Sequence, residues 1–407
     1  MRAVDKLGGM HPVTELMGYD EFLKTLVSTV KVGGSVETVK LAHAAGRVSA
    51  SDVLATVDVP NFRRAAFDGY AVRSADTQGA TRDSPVKLRL VGVSKPGNAK
   101  NSRVAQGEAV KIFTGGAVPE GADAVVMVES TELSGSEVYV FSGVRPGSCV
   151  DDAGSDIKKG QLLVKASSTI KPTDLPILAS QGYASLRVRS RPRVFIVPTG
   201  NEIKPLGSKL REGEIYDSNS IGVAALLTGF GARVTLSKPV KDDLRRVASA
   251  LRRSAGFDLT VFIGGSSAGA EDYVAQAVGN QGKVLVHGLA LSPGRPTLLG
   301  QTKHAFVVGL PGHPASSMAV SFMVLRPLIS VLLGRPVDTV KVEATLGSQL
   351  EEAKPNFTYF RTVRLDDGKA VVAYKTSSAV SSFLGADGYI VFKGSSKPRK
   401  GEKVWVN

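Results

Sequence analysis

The sequence predicts a multidomain α/β plus β protein centred on a doubly wound, mostly parallel sheet. Three observations carry this. From Arg193 onward, five short apolar runs alternate with helical patterns, as βαβ units do. Two other stretches, about 86–145 and 339–407, hold strand-like runs with turn signals at short intervals. The chain has 407 residues, more than one core usually organises, so about three or four units are expected.

Taken in order, Tyr19 to Val27 places apolar residues at helical spacing, and Val36 to Gly46 reads as a second helix closed by Gly46. Val57 to Phe62 is an extended linker, since Pro60 pushes Val59 away from helix. Asp68-Gly69 is a turn signal, and Tyr70-Ala-Val72 after it is a strand. Asp68 is then a turn-stabilising residue or a catalytic acid, with the residues alone favouring the turn. Val86 to Val93, Ala109 to Phe113, Ala124 to Glu129 and Val138 to Phe141 form a small β domain. Thr114-Gly115-Gly116 follows one of its strands, as a hairpin connection or an oxyanion loop. Pro172 to Gly182 is a helix, opened by proline and acid and ended by glycine.

In the α/β stretch the strands are Val194–Val197, Arg233–Leu236, Leu259–Ile263, Lys283–Val286 and Ala305–Val308. The helices fall at about Asn219–Thr228, Asp242–Ala255, Ala270–Val278 and Ala315–Leu333. Residues 339–407 then supply five further candidate strands, enough for a small barrel or sandwich.

The bulk numbers exclude several classes. The chain is 43% apolar, which suits packed cores. No apolar run reads as a membrane span and the N-terminus lacks a signal peptide's apolar core, so a soluble, cytoplasmic protein is expected. Cys149 is the only cysteine and the five histidines show no ligand spacing, which excludes an internal disulfide and argues against zinc. The net charge of +14 gathers at Arg187–Arg193, Arg245 to Arg253 and Lys397–Lys403. No recognition motif accompanies it, so neither a nucleic-acid nor a membrane partner is expected; a solvated basic surface or a phosphorylated ligand accounts for it.

The strand ends carry the functional signal. Ligands of doubly wound sheets bind outside the carboxyl ends of the strands. There lie Pro198-Thr-Gly-Asn-Glu202, Gly264-Gly265-Ser266-Ser267-Ala-Gly269, Ser292-Pro293-Gly294-Arg295-Pro and Gly309-Leu-Pro311-Gly312-His-Pro314. Glycine loops at a strand–helix junction turn N–H groups toward anions. Glu271 and Asp272 open the next helix, to stabilise its positive end or hold a metal ion. Asp217, before Asn219, is a helix cap or a metal-facing acid. Together these loops point to a nucleotide- or phosphate-bearing ligand.

The ordered set of motifs resembles the molybdopterin molybdenumtransferase family, MoeA in bacteria and archaea and a domain of gephyrin in eukaryotes. It runs from about Tyr19 to the C-terminus, on Asp58-Val-Pro-Asn-Phe, Asp68-Gly-Tyr-Ala-Val-Arg, Thr114-Gly, Gly154-Ser-Asp-Ile, Ile215-Tyr-Asp-Ser-Asn and the four loops above. The resemblance implies an elongated α+β domain from 1–56 and 146–186, a β domain inserted at 57–145, an α/β molybdopterin-binding domain at 187–336 and a C-terminal β domain at 337–407. It implies a homodimer with its site between the α/β domain of one subunit and the inserted domain of the other. The reaction implied is insertion of molybdate or tungstate into adenylylated molybdopterin with release of AMP, assisted by Mg2+, with the molybdopterin adenylyltransferase as a candidate partner.

Position by position, the resemblance assigns catalytic roles to Asp68, Asp156, Glu202, Asp217 and Asp272, with Asp217 and Asp272 at the metal. It assigns ligand binding to Thr114, Gly115, Gly264, Gly265, Ser266, Ser267, Gly269, Ser292, Pro293, Gly294, Arg295, Pro311, Gly312 and Pro314. Several positions depart from the family pattern. Asn201 stands for an aspartate, Ser292 and Arg295 for lysines, His313 for an asparagine, and Asp151-Asp152 for basic residues. Arg295 keeps a cation and Ser292 does not. The alternative reading is therefore a paralogue that binds molybdopterin or the finished cofactor with little insertion, as a carrier or scaffold.

Overall fold

The computed structural model describes residues 16–98, 103–265, 272–337 and 340–407. The architecture is multidomain α/β plus β, as the sequence predicts. The central sheet has six strands in the order Arg233–Leu236, Arg193–Pro198, Leu259–Ile263, Phe306–Leu310, Leu298–Thr302 and Gly282–His287. The first four are parallel, and Leu298–Thr302 runs antiparallel to both its neighbours. Leu259–Ile263 is buried along its whole length, as a strand covered on both faces must be. Helices Asn219–Gly229, Leu244–Arg253 and Tyr273–Gln281 cover it, with a long segment over Pro314–Leu332. That segment is long and apolar enough to cross a bilayer, contrary to the expectation that no run is, yet 78% of it is buried inside the fold. It packs through Val320, Val324 and Leu328 against Val223, Leu227 and Leu310, the place of a core helix.

Three β assemblies surround this unit. The inserted one is an open six-stranded sheet ordered 124–127, 69–72, 108–112, 86–94, 137–140 and 131–134. Gly69 is required there: a Cβ would lie 2.0 Å from the Val126 carbonyl oxygen of the paired strand. The elongated part is discontinuous in sequence. Val36–Lys40 pairs with Ser185–Arg189, and Val53–Leu54 with Leu162–Val164, over a core of Val53, Ile170, Leu178 and Val188. The expected helix over Val36–Gly46 is thus a strand followed by one short turn of 3₁₀ helix, Leu41–His43. At the C-terminus, Val342–Leu346, Thr358–Asp366, Lys369–Val372, Gly388–Lys393 and Lys403–Val406 close into a five-stranded barrel, sealed where Thr358–Asp366 meets Gly388–Lys393. Leu291–Ser292 joins the barrel's edge in parallel with Thr358–Tyr359, stitching it to the α/β unit.

Candidate functional site

Three parallel strands end side by side, and their exits form the floor of a cleft of about 680 Å³. The Thr199 amide donates to the Ile263 carbonyl at 2.8 Å, and the Gly264 amide to that of Leu310 at 3.1 Å. The exits of all three strands are thereby bonded in a row. Gly264 and Gly265 have φ of +86° and +61°, and a Cβ on either would strike Thr199 at 2.6 or 2.7 Å. Glycine is therefore the residue that fits this crossing.

The walls come from loops that local chemistry holds in place. Ile203–Lys204 pairs in parallel with Ile215–Tyr216. The Lys204–Glu214 ion pair at 3.0 Å ties the base of the intervening loop. The Glu214 carboxyl lies below its usual range because the Arg211 amide bonds it, with Lys204 adding to the effect. Asp217 follows at once. Its Oδ1 accepts from the Ser220 amide at 3.1 Å, within the first turn of the Asn219–Gly229 helix. Asn219 donates from Nδ2 to the Gly312 carbonyl at 2.7 Å, joining two walls.

Of the residues assigned from sequence, the cleft brings together Glu202, Asp217, Gly264, Gly265, Arg295, Pro311, Gly312 and Pro314. Asp242, Tyr273 and His313 also line it, and none of the three was assigned. His313 was noted only as a departure, and the other two lay just inside predicted helix starts. Among the described residues, three acids, Glu202, Asp217 and Asp242, thus share the cleft lining with one arginine, Arg295.

Other assigned residues stand elsewhere. Ser292, Pro293 and Gly294 form the turn behind Arg295. Pro293 and Gly294 are buried, and the Ser292 carbonyl accepts from the Arg361 guanidinium at 2.9 Å. Asp272 is 4% exposed. Rather than falling in the first turn of a helix, as expected, it caps the helix Tyr273–Gln281, accepting at Oδ1 from the Ala275 amide at 2.8 Å. Its Oδ2 meets His287 Nε2 at 3.0 Å. His287 ends the sixth strand of the sheet and carried no motif by which to find it. Among the described residues no group of three or more potential ligands gathers for a metal ion. Asp68, Thr114 and Gly115 lie at strand ends of the inserted sheet and Asp156 in the segment bonded to Val59; none lines this chain's cleft. Asp68 accepts at 2.7 Å from both the amide and the hydroxyl of Thr114. Those two bonds, the amide first, hold its carboxyl below the ordinary range. Ser266, Ser267 and Gly269 lie outside the described residues.

Comparisons with known proteins agree on one assignment. The MoeA N-terminal region (domain I and II) matches residues 17–182, and a probable molybdopterin binding domain matches residues 195–330. A molybdopterin molybdenumtransferase of Haemophilus influenzae is 30% identical over 79% of this chain and 78% of its own. Molybdopterin molybdenumtransferase 2 of Mycobacterium tuberculosis is 35% identical over 74% of this chain and 76% of its own. The crystal structure of a molybdopterin biosynthesis MoeA protein from Pyrococcus horikosii superposes with a TM-score of 0.84 at 32% identity, covering 96% of this chain and 98% of that one. The fold and its cleft therefore define a multidomain protein built on a molybdopterin-binding α/β unit. The chain belongs to the molybdopterin molybdenumtransferase family.

Proposed function

We propose that this protein inserts molybdenum, from molybdate or tungsten from tungstate, into adenylylated molybdopterin and releases AMP. One observation carries the reading: the cleft at the strand ends combines a glycine crossing open to a phosphate with an acid-rich wall and a single guanidinium. A pyrophosphate entering a wall of three carboxylates is repelled unless a cation lies between them. The donor set fits Mg2+, which typically takes one or two carboxylates and completes its shell with water and substrate phosphate. Asp217 would hold it, with Glu202 on the neighbouring paired segment of the same wall. Asp272 would join only by giving up its bond to His287. When bound, the ion offsets phosphate charge and orients the attack on phosphorus. Arg295 would grip phosphate oxygens bidentately. In the overall reaction a water oxygen bonds to phosphorus as the pyrophosphate P–O bond breaks and AMP leaves; the two dithiolene sulfurs displace two oxo groups of the oxyanion, which depart as water with the protons given up by the thiols and by the hydrolysis.

Asp68 and Asp156 would reach the cleft from a second subunit, as would Thr114 and Gly115. The support is that Asp68 is exposed, with its carboxyl held below the ordinary range, and does not line its own chain's cleft. A cytoplasmic homodimer, fed by an adenylyltransferase, follows from this reading.

The test uses full-length protein with adenylylated molybdopterin, molybdate and Mg2+, and measures AMP by chromatography. AMP release should require the divalent ion and fall by about a hundredfold or more in Asp217→Asn. Undiminished ligand binding with no AMP from the wild type would instead identify a carrier.

A further inference from the structure

The rim opposite the cleft carries a second feature, independent of the reaction. Every turn entering a parallel strand lies at this amino-end edge. Those turns present Arg193, Arg233, Arg252, Arg253, Lys283 and Lys303, all exposed. None of the six forms an ion pair with a carboxylate among the described residues. The one acid in the same turns, Asp258, accepts from the Arg193 amide at 2.6 Å. Arg193 and Arg233 are direct partners in parallel register, an arrangement of like charges that costs stability. Complementing a helix C-terminus accounts for Arg252 and Arg253, and Lys283 follows the C-cap Gly282 of Tyr273–Gln281; Arg193, Arg233 and Lys303 have no such role.

A pocket of about 330 Å³ opens in this edge, between Leu251, Ala255, Gln281 and the turn Thr302–His304. Buried Leu251 and exposed Ala255 supply its apolar lining, alongside Arg252, Lys303 and His304. Phosphate backbones have no group to match such a lining. No exposed large aromatic side chain lies in these turns to stack a base. A protein segment fits both halves, placing one apolar side chain in the pocket and carboxylates on the surrounding cations. The six-stranded edge spans roughly 24 Å at strand spacings of about 4.8 Å, the breadth of an ordinary protein–protein contact.

We infer that this amino-end rim docks an acidic protein segment carrying one apolar anchor side chain. The partner would sit on the face away from the cleft and leave it open.

The experiment titrates the full-length protein with a short labelled oligoglutamate peptide containing one central leucine, read by fluorescence anisotropy. Binding should be saturable. It should weaken at least about tenfold in Arg252→Glu/Lys303→Glu. It should also weaken several-fold when serine replaces the peptide's leucine. Ala255→Arg separates the two contributions: it adds positive charge yet fills the pocket, so binding should fall. AMP release should be unchanged in all three variant positions. Absence of saturable binding, equal binding of the serine peptide, stronger binding to Ala255→Arg, or tighter binding of duplex DNA or anionic vesicles than of the peptide would each overturn the inference.

Discussion

Asp68 shows what a single residue contributes before any ligand arrives. Its carboxylate is exposed, and the amide and hydroxyl of Thr114, which both donate to Oδ1 at 2.7 Å, outweigh the small opposing effect of desolvation. Hydrogen bonds to the charged form favour that form, and the carboxyl therefore titrates below its usual range. The sign follows directly. A depressed folded pKa stabilises the fold above the ordinary carboxylate range, and that contribution is lost as pH falls through the folded value. Asp68 should thus remain ionised in mildly acidic solution, observed as its side-chain carboxyl-carbon shift by NMR. Thr114→Val removes the weaker of the two contributions and leaves the amide. The titration should move up toward the ordinary value without reaching it. An unshifted titration in the wild type would remove the reason for treating Asp68 as a pre-arranged acid.

At the scale of an element, Asp272 joins a loop, a helix and a strand. Its Oδ1 caps Tyr273–Gln281 and its Oδ2 holds His287 at the end of Gly282–His287. Asp272→Ala removes the cap, at a cost of about 1 kcal/mol, and strands a histidine partner as well. Asp272→Asn keeps an acceptor for the Ala275 amide and should lose less. Hydrogen exchange of the 273–281 amides should therefore quicken in the order wild type, Asn, Ala. Equal protection in all three would mean the cap does not hold this helix. The same element shows why sequence reading found the strands of the α/β unit more readily than their boundaries. Leu259–Ile263 is a continuous apolar run and could be read directly. The helix start at Asp272 depends on where one carboxylate bonds, which spacing does not reveal. Leu298–Thr302 escaped notice because its centre is Gly300. A Cβ there would meet Val278 Cγ1 at 2.5 Å, so the helix packed above it requires a residue that weakens the strand signal. Val36–Lys40 looked helical because its partner, Ser185–Arg189, lies far along the chain. Local apolar spacing cannot register a pairing of that separation.

For the whole molecule, the central question is why a chain would carry its acids in two places. The strand-end loops converge on one cleft, as their glycine, proline and hydroxyl composition suggested, and Glu202, Asp217 and Arg295 meet there. The inserted sheet holds Asp68 apart from them, on an assembly joined to the rest through short two-stranded ribbons such as Arg64–Ala65 with Val150–Asp151. Residue spacing alone does not show that separation, which is a property of domain placement; only the family resemblance implied it. The proposed closed two-fold dimer would resolve it, since each inserted sheet could then face the other subunit's cleft. The prediction is complementation in trans. Asp68→Asn and Asp217→Asn should each abolish most AMP release as pure proteins. Mixed by co-expression, random pairing makes half the dimers hybrid, and each hybrid has one site with both acids intact. Activity should then recover to roughly a quarter of the wild-type value. If both acids served one chain's own cleft, every hybrid site would carry a defect and the mixture would stay as inactive as its parts. A monomer at assay concentration by sedimentation, with full wild-type activity, would equally exclude a shared site.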